Sequence, residues 1–302
     1  MLLQTIHKTY APVEKFNPWT LVEAPDLSKV SRLTEENKAE VLAFLSVRPV
    51  HTVVMTSFIN DNGIENESNR GTFYGYRNTD GRLEGVALIG HSTLVEARSE
   101  RAMQSLALVA RHSETPINLI MSDGEAAEAF WAYYSETQAA PRLTCTEELF
   151  ELSFPFLVQE CDWEVRYATL DELEQVAEAQ AEVAMIESGI DPMVRDREGF
   201  LRRVARRIEQ NRVFVVVENG ELVFKADVVA QTAEVAYLEG VYVNPRYRGQ
   251  GVGSKCLAEV GLRLLQEVHN VCLLSNTEFV HAHSSFRRAG FKNTDRCTTL
   301  FV

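Results

Sequence analysis

The stretch Val241-Tyr242-Val243-Asn244-Pro245-Arg246-Tyr247-Arg248-Gly249-Gln250-Gly251-Val252-Gly253-Ser254 decides the fold of this chain. From Tyr237 onward the residues alternate β-branched and aromatic side chains, which predicts a strand. Pro245 ends this strand because proline has no N–H to donate to a sheet. Apolar side chains then recur at a helical spacing, at Cys256, Leu257, Val260, Leu264 and Val268. The pattern therefore predicts a strand, a glycine-rich loop and a helix.

Three glycines, Gly249, Gly251 and Gly253, stand at alternate positions in the loop. Without Cβ atoms in the way, backbone N–H groups can converge on an anion, and the helix N-terminus adds the positive end of its dipole. The spacing matches neither the Walker loop, Gly-x-x-x-x-Gly-Lys-Ser/Thr, nor the dinucleotide fingerprint, Gly-x-Gly-x-x-Gly. The pattern predicts a phosphate-binding loop, with a plain strand-to-helix turn as the alternative.

The loop resembles the pyrophosphate loop of the GNAT superfamily of N-acetyltransferases. The shared pattern is Arg/Gln-x-x-Gly-x-Gly/Ala, filled here by Arg248, Gly251 and Gly253. From about Glu164 to Val302 the predicted order is also similar to a complete GNAT domain: a strand, two helices, a hairpin, a strand, the loop, a helix, a strand, a helix and a last strand. The segments 188–192, 224–227 and 239–243 resemble a tandem-domain GNAT subgroup found mainly in bacteria.

The resemblance implies an α+β fold, with a mixed central sheet flanked by helices, in two tandem GNAT-like domains of which the second is complete. Residues 161–302 are the predicted acyl-CoA-binding domain, and residues 1–160 a degenerate domain preceded by an irregular arm over about 30 residues. Both halves open on a helix cap, at Thr34 and at Thr169. The first half has no glycine between Thr93 and Glu100, where the second has its loop, so it is not expected to hold a pyrophosphate.

Two shorter segments of the first half also receive a prediction. The polar residues from Ser57 to Arg70, which include Asn60-Asp61-Asn62-Gly63, are predicted to form a loop. The residues from Leu149 to Phe156 are predicted to form a strand just before the boundary between the halves.

Length, charge and cysteine content limit the class of protein. A chain of 302 residues suggests about two domains, and a net charge of −13 argues against nucleic acid as a partner while it suits a cationic acceptor. Five widely spaced cysteines without a Cys-x-x-Cys pattern indicate neither a disulfide framework nor a zinc site, which suits a reducing cytoplasm. No apolar stretch approaches the length that spans a bilayer, so we expect neither secretion nor a membrane partner.

The resemblance implies that acetyl-CoA is the co-substrate and that no metal takes part. It assigns Val241, Tyr242 and Val243 to the pantetheine arm, and the N–H of Val243 would polarise the thioester carbonyl. It assigns the pyrophosphate to Arg248, Gly249, Gln250, Gly251, Val252, Gly253 and Ser254. Asn276 is a further candidate contact to the pantetheine.

Glu239 is the candidate general base because it lies on the strand before the loop, where Glu234 is the only other carboxylate. Strict alternation along a strand would place Glu239, Val241 and Val243 on one face of the sheet. The alternative is that Glu239 is a solvated side chain without a chemical role.

The proton donor for the leaving thiolate is left open. In this superfamily it is usually a tyrosine four residues before the glycine of the terminal Gly-Phe pair, and Phe286 stands there in this chain. An asparagine that is frequent seven residues earlier is replaced by Phe279. Tyr242 or Tyr247 could substitute, or the thiolate could leave without a protein acid.

Two histidines and one cysteine near the C-terminal helices are further candidate functional residues. His281 and His283 point to different faces of a helix and lack a third ligand, so no metal site is expected. Cys256 lies one turn into the helix after the loop, where the dipole could lower its pKa and allow an acyl-cysteine route.

The sequence thus predicts an N-acetyltransferase that moves an acetyl group from acetyl-CoA to a primary amine, on a small molecule or a peptide, by direct attack. The alternative is a non-catalytic module that senses or scaffolds acyl-CoA, which Phe286 and the loopless first half favour. The chain is expected to be a monomer or a homodimer.

Overall fold

A computed structural model describes residues 25–135, 139–157 and 159–302 of the chain. The predicted irregular arm lies outside these residues as far as residue 24. The strands are β1 (Val30–Arg32), β2 (Gly71–Arg77), β3 (Leu83–Gly90), β4 (Ser92–Ala97), β5 (Leu119–Asp123), β6 (Leu143–Leu152), β7 (Arg166–Tyr167), β8 (Val213–Glu218), β9 (Glu221–Gln231), β10 (Val235–Val243), β11 (Asn270–Asn276) and β12 (Lys292–Phe301). The α-helices are α1 (Lys38–Leu45), α2 (Val53–Asn62), α3 (Glu100–Ala110), α4 (Gly124–Tyr134), α5 (Leu173–Ser188), α6 (Pro192–Arg195), α7 (Arg197–Glu209), α8 (Val252–Leu264) and α9 (Val280–Arg288).

All the described strands join in one mixed sheet, in the order β1-β2-β3-β4-β5-β12-β6-β11-β10-β9-β8-β7. The two halves exchange strands at its centre. Strand β12 from the second half lies between β5 and β6, and β6 from the first half lies between β12 and β11. Each of these pairings is antiparallel. The second half contains the elements predicted for it, with the short helix α6 in addition, and its sheet continues into β6.

Helices cover both faces of the second half's sheet. Helices α8 and α9 pack on one face, over a core that includes Leu238, Leu257 and Phe286. Helices α5 and α7 cover the opposite face, over Val213 and Val215. Helix α2 of the first half packs on this second face as well, beside Tyr237 and Cys272. We call the face under α2, α5 and α7 the acceptor face. The proposed division between residues 160 and 161 thus crosses a continuous sheet and shared cores, and it stays a prediction.

Local signals predicted several elements correctly. Thr34 and Thr169 are the expected helix caps, and each belongs to a capping box, with Asn37 and with Glu172. Asn219 and Gly220 both have positive φ, 52° and 81°, in the turn between β8 and β9. This conformation matches the twist of a two-residue hairpin.

Two predictions in the first half are wrong. Part of the expected loop from Ser57 to Arg70 belongs to helix α2, because Met55 and Ile59 are buried one turn apart and Gly63 ends the helix with a φ of 83°. The last strand of the first half lies several residues before the expected position, because its pairing with β11 and β12 fixes its ends. No helix of the described residues has the length and apolar character needed to cross a membrane.

Leu152 tests whether the shared sheet unfolds as one unit. Its side chain is fully buried in the core of the second half, where it packs on Gly261 of α8. Replacing Leu152 with alanine is expected to lower the free energy of unfolding by about 2–5 kcal/mol, because the cavity left behind collapses only in part. Because β6 pairs with strands of the second half, both halves should unfold in one cooperative transition, and the midpoint of that transition should shift to lower denaturant concentration. Equilibrium guanidinium denaturation, followed by circular dichroism and tryptophan fluorescence, measures it.

The control is Leu170→Ala, since that side chain is half exposed and should change the stability by no more than about 0.5 kcal/mol. Two well-separated transitions, with only one of them shifted by Leu152→Ala, would contradict the shared core.

Candidate active site

A V-shaped gap between two parallel strands forms the centre of the site. Strands β10 and β11 pair from Val235 with Asn270 to Leu238 with Leu273. Beyond that pair β10 continues to Val243 and β11 to Asn276, but the described pairing between them has ended. Strand β10 stays paired with β9, and β11 with β6. The gap therefore opens after Leu238 and has rigid strands on both sides.

A β-bulge at Gly240 turns β10 away from β11. The register with β9 shifts between Glu239 and Tyr242, and Gly240 has a φ of 58°. A Cβ atom at this position would collide with the Gln180 side chain. Glycine is required here both by the left-handed backbone and by the close approach of Gln180.

A buried ion network fixes the bulge from the acceptor face. The Nζ atom of Lys225 lies 2.9 Å from the carbonyl oxygen of Gly240, 2.6 Å from Gln180 Oε1 and 2.9 Å from Asp227 Oδ1. Arg207 Nη1 reaches the other carboxylate oxygen of Asp227 at 2.9 Å. Burial lowers the pKa of Lys225, while the Asp227 carboxylate acts in the opposite direction. The Nζ group of Lys225 is the donor that holds the bulged carbonyl in place.

The bulge overturns the alternation expected along β10. Val241 and Val243 pack with Leu238 under α8 and α9. Glu239 instead interacts with Tyr237, which belongs to the cluster on the acceptor face. The extra residue of the bulge shifts the alternation by one position. Glu239 and the two valines therefore lie on opposite sides of the gap, and the expectation that they share one face is wrong.

The main chain of Val243 is directed toward the gap. The N–H of Asn244 donates to Val223 O on β9 at 2.9 Å. In an antiparallel ladder, successive residues alternate between facing the partner strand and facing away from it. The N–H and C=O of Val243 consequently face away from β9, and Arg248 Nε donates to this carbonyl at 2.9 Å.

The glycine loop leaves open space where an anion would fit. Gly249 and Gly251 have φ values of 77° and 81°, and no atom lies within 4 Å of a Cβ built at either position. Gly251 is the N-cap of α8, and no side chain caps the helix there. The first N–H groups of a helix have no acceptor within the helix. Those of Val252, Gly253 and Ser254 are therefore directed at the space above the loop.

The other predicted loop residues support this arrangement. Gly253 packs closely on β10, since a Cβ there would lie 3.1 Å from Val243 Cγ2. Val252 is buried in the core, and Ser254 Oγ donates to Gly251 O at 3.0 Å. Gln250 donates to Arg246 O at 3.0 Å. The guanidinium of the exposed Arg248 lies 3.6 Å from Glu182 of α5, at the edge of the loop.

Three glutamates converge on the acceptor face beside the gap. Glu239 belongs to β10, Glu187 to α5 and Glu147 to β6, which comes from the first half. Glu147 stands opposite Asn276 in the register of β6 and β11, and its carboxylate accepts a hydrogen bond from Thr299 at 2.6 Å. We call Glu147, Glu187 and Glu239 the acidic recess. Parts of the Glu187 and Glu239 side chains remain accessible to solvent, so the recess is open on one side, while the surrounding protein removes water from their carboxyl groups on the other.

Burial and mutual repulsion raise the pKa values of these carboxyls. Burial raises the pKa of Glu147 to about 7, and the Glu239 carboxylate adds to the effect. Burial raises the pKa of Glu187 to about 8, with further contributions from Glu239 and Glu147. The pKa of Glu239 is also raised by burial, against a hydrogen bond from Tyr237. Among the described residues no lysine, arginine or histidine forms an ion pair with the three. Lys225 and Arg207 partly offset the charge of Glu239, and Lys225 that of Glu187, whereas no cation from the described part of the chain acts on Glu147.

Sequence patterns identified Glu239 but neither Glu147 nor Glu187. No spacing connects the three, because the strand exchange brings β6 beside β11 and the packing of α5 brings Glu187 over the gap. The one available signal was the segment 188–192 of the resemblance, which begins directly after Glu187.

The candidate proton donors differ in their surroundings. Phe286 is buried and contacts Phe150, with ring centroids 5.5 Å apart. Tyr242 lies on the acceptor face, where burial and Glu182 raise its pKa. Tyr247 packs edge-on against Trp163 at 5.9 Å, under the opposite face. Tyr242 is therefore the candidate tyrosine that shares a face with the acidic recess.

The histidines and Cys256 take structural positions. His283 is buried, with Nε2 3.0 Å from Asn276 O and Nδ1 3.5 Å from Glu148, whereas His281 is exposed. The described residues contain no group of three or more side chains that could hold a metal ion. Burial raises the pKa of the Cys256 thiol, with Cys161 Sγ at 3.9 Å, so the suggested lowering by the helix dipole is wrong.

Comparison with known proteins identifies the class of this domain. Residues 209–293 match the family described as Acetyltransferase (GNAT) domain. A curated relative, aminoglycoside N(6')-acetyltransferase type 1 from Stenotrophomonas maltophilia, is 37% identical over 73 residues. That match covers 22% of this chain and 44% of the relative, so the chain spans less than half the length of this relative.

Solved structures share the fold over most of the chain. A Drosophila protein superposes with a TM-score of 0.67 at 13% identity, covering 91% of this chain and 98% of that one. A GNAT-family acetyltransferase from Colwellia psychrerythraea has a TM-score of 0.55 at 13% identity, with coverages of 90% and 99%. A tandem GNAT protein from the clavulanic acid biosynthesis pathway has a TM-score of 0.56 at 14% identity, with coverages of 90% and 98%.

The match over residues 209–293 contains the bulge, the glycine loop and β11, which are the elements that form the gap. Residues 209–293 thus belong to the acetyltransferase (GNAT) domain family, within a mixed α/β fold that a tandem GNAT protein shares.

Proposed function

We propose that the second half is an N-acetyltransferase that moves an acetyl group from acetyl-CoA to a primary amine by direct attack. The observation that carries this proposal is the gap between β10 and β11. The gap connects the glycine loop, on the side of α8, with Glu239 and the acidic recess on the acceptor face. A donor and an acceptor that enter from opposite faces would meet there.

The residues around the loop fit coenzyme A. The positive φ angles of Gly249 and Gly251, the open space above them and the uncapped N-terminus of α8 suit a diphosphate. The edge of β10 that faces the gap, at Val241 and Val243, offers main-chain groups to the pantetheine arm, and Asn276 lies at the end of the opposite strand. The main chain of Tyr242 faces β9 instead, so the expectation that it contacts the arm through its main chain is wrong. When bound, acetyl-CoA supplies an acetyl group that is already activated as a thioester.

Two residues of β10 would carry the chemistry. The N–H of Val243 is directed into the gap and would donate to the carbonyl oxygen as negative charge develops there. Glu239 would accept the proton of the attacking amine. Its raised pKa suits that role, because a general base works best with a pKa near the operating pH. No proton donor exists at Phe286, so the thiolate would leave unassisted or with a proton from Tyr242.

The acidic recess supports a cationic acceptor. Three clustered carboxylates, none of them in an ion pair among the described residues, would attract an ammonium group to the gap, and their charge would help to hold it. The curated relative bears the name of an aminoglycoside acetyltransferase, and aminoglycosides are amines with several positive charges. From this relative we infer for the present chain only that the acceptor is a primary amine on a cationic molecule. The cytoplasm remains the compartment expected from the cysteines.

Gly251→Glu tests the diphosphate site. The substitution places a carboxylate and a strained left-handed residue where we propose that the diphosphate binds, so CoA affinity is expected to fall by at least about tenfold. Isothermal titration calorimetry with CoA measures it. Gly81→Glu is the matched control, because Gly81 has a φ of 80° and equally open surroundings in a turn of the first half. Equal CoA affinity in both variants would show that the diphosphate binds elsewhere.

Glu239→Gln tests the base. Thiol release from acetyl-CoA with an amine acceptor is expected to fall by about 10²- to 10⁴-fold in kcat, with CoA affinity unchanged. In the parent, kcat/KM should rise with pH as the Glu239 carboxyl, next to Tyr237, Asp227, Lys225 and Arg207, loses its proton. The part of the rise that comes from this carboxyl should be absent in the variant, which keeps only the rise from deprotonation of the amine itself.

Glu234→Gln serves as the control, since Glu234 is exposed just before β10, at the end away from the gap. Parent protein that binds CoA but releases no thiol with any amine, including an aminoglycoside with a free 6'-amine, would contradict the enzyme. The alternative, a module that senses acyl-CoA, would then be favoured.

A further inference from the structure

The strand exchange places two consecutive glutamates of the first half inside the GNAT domain. Glu147 and Glu148 lie on β6 opposite Asn276 and Ser275 of β11, next to the gap. Because side chains alternate along a strand, the two carboxylates point to opposite faces of the sheet. Glu148 contacts His283 and Arg287 of α9, each at 3.5 Å. Glu147 lies on the acceptor face, with Thr299.

Glu148 has a cationic partner and Glu147 has none among the described residues. The Arg287 guanidinium offsets the charge of Glu148, and the His283 ring lies at the same distance from it. The groups that act on Glu147 are the hydroxyl of Thr299 and the carboxylate of Glu239. Glu187, from α5, is influenced by both Glu147 and Glu239, and Lys225 partly offsets its charge. One ammonium group at Glu239 would leave Glu147 without a counter-charge.

From this imbalance we propose that Glu147 binds a second positive charge of the acceptor, so that the first half selects a diamine or polyamine for the second half. The inference rests on the proposed acetyl transfer and names the substrate class for the same site. In the proposed complex, the amine that reacts lies at Glu239, and the second ammonium group of the same molecule lies between Glu147 and Glu187. The role of the first half is then to complete the acceptor site of the second half. It would not carry out acetyl transfer itself.

The surroundings of Glu147 fit an elongated acceptor. Leu274 of β11 lies on this face, two positions before Asn276, which stands opposite Glu147. Tyr237 and Cys272 extend this apolar floor toward helix α2, where a cavity of about 40 Å³ is lined by none of the three glutamates. Methylene groups between two ammonium groups would contact this floor, while their charges reach the carboxylates at the ends. The amine therefore has an apolar linker in this inference.

The variant Glu147→Gln keeps the shape of the side chain and removes its charge. Glutamine can still accept the hydrogen bond from Thr299, so the fold should be retained. A carboxyl whose pKa is raised by folding destabilises the folded state once pH passes its unfolded value near 4.5, and the full loss is reached above about 7. The melting temperature of Glu147→Gln at pH 8 should therefore equal or exceed that of the parent.

The test compares diamines with monoamines of equal chain length. The full chain is assayed at pH 8 with acetyl-CoA and with α,ω-diaminoalkanes or 1-aminoalkanes of three to six carbons. In the parent, kcat/KM for the preferred diamine is expected to exceed that for its monoamine. Glu147→Gln should reduce this ratio by about fivefold, in the range of one partly solvated ion pair. Glu148→Gln, one position along the same strand, should leave the ratio unchanged.

Binding separates this inference from the proposed reaction. Calorimetry of the same amines in the presence of CoA should give a diamine preference in the parent that falls in Glu147→Gln. If that preference is found without thiol release, the reaction fails and the diamine site stands. If thiol is released but diamines have no advantage, or if both glutamine variants reduce the ratio equally, the role proposed for Glu147 is wrong.

Discussion

The exchange of the last strands between the two halves is the constraint on which this structure depends. Strand β6 gives its hydrogen bonds to β11 and β12, and β12 gives its own to β5 and β6. Neither half can bury its central strands without the other, because an unpaired edge would leave backbone groups without partners. The exchange also brings first-half residues beside a gap that lies in the second half.

At that gap the protein combines a backbone irregularity with buried charge. The bulge at Gly240 separates β10 from β11, and Lys225, held between Asp227, Gln180 and the Gly240 carbonyl, fixes it. Burying an ammonium and a carboxylate costs solvation energy, which their mutual attraction and further hydrogen bonds must offset. Arg207 adds a second cation to Asp227. The network thus fixes one geometry of the strand that carries both Glu239 and the N–H of Val243.

Electrostatics divides the two sides of the gap. On the side of α8, helix N–H groups and open glycines suit negative charge. On the acceptor face, Glu147, Glu187 and Glu239 repel one another and retain protons to higher pH than isolated glutamates. An anionic donor and a cationic acceptor would thus be drawn to different faces of the same opening. This separation supports the proposed reaction more directly than any single residue.

The sequence by itself determined the elements whose signals are local. The strand, glycine loop and helix from Tyr237 to Val268, the capping boxes at Thr34 and Thr169, and the Asn219-Gly220 hairpin follow from hydrogen bonds and φ angles within a few residues. Only the tertiary structure decided the strand exchange, the side of the sheet on which Glu239 lies, and the approach of Glu147 and Glu187 to it. The physical reason is that strand order and a bulge depend on pairing between distant segments, which side-chain periodicity along one segment does not encode.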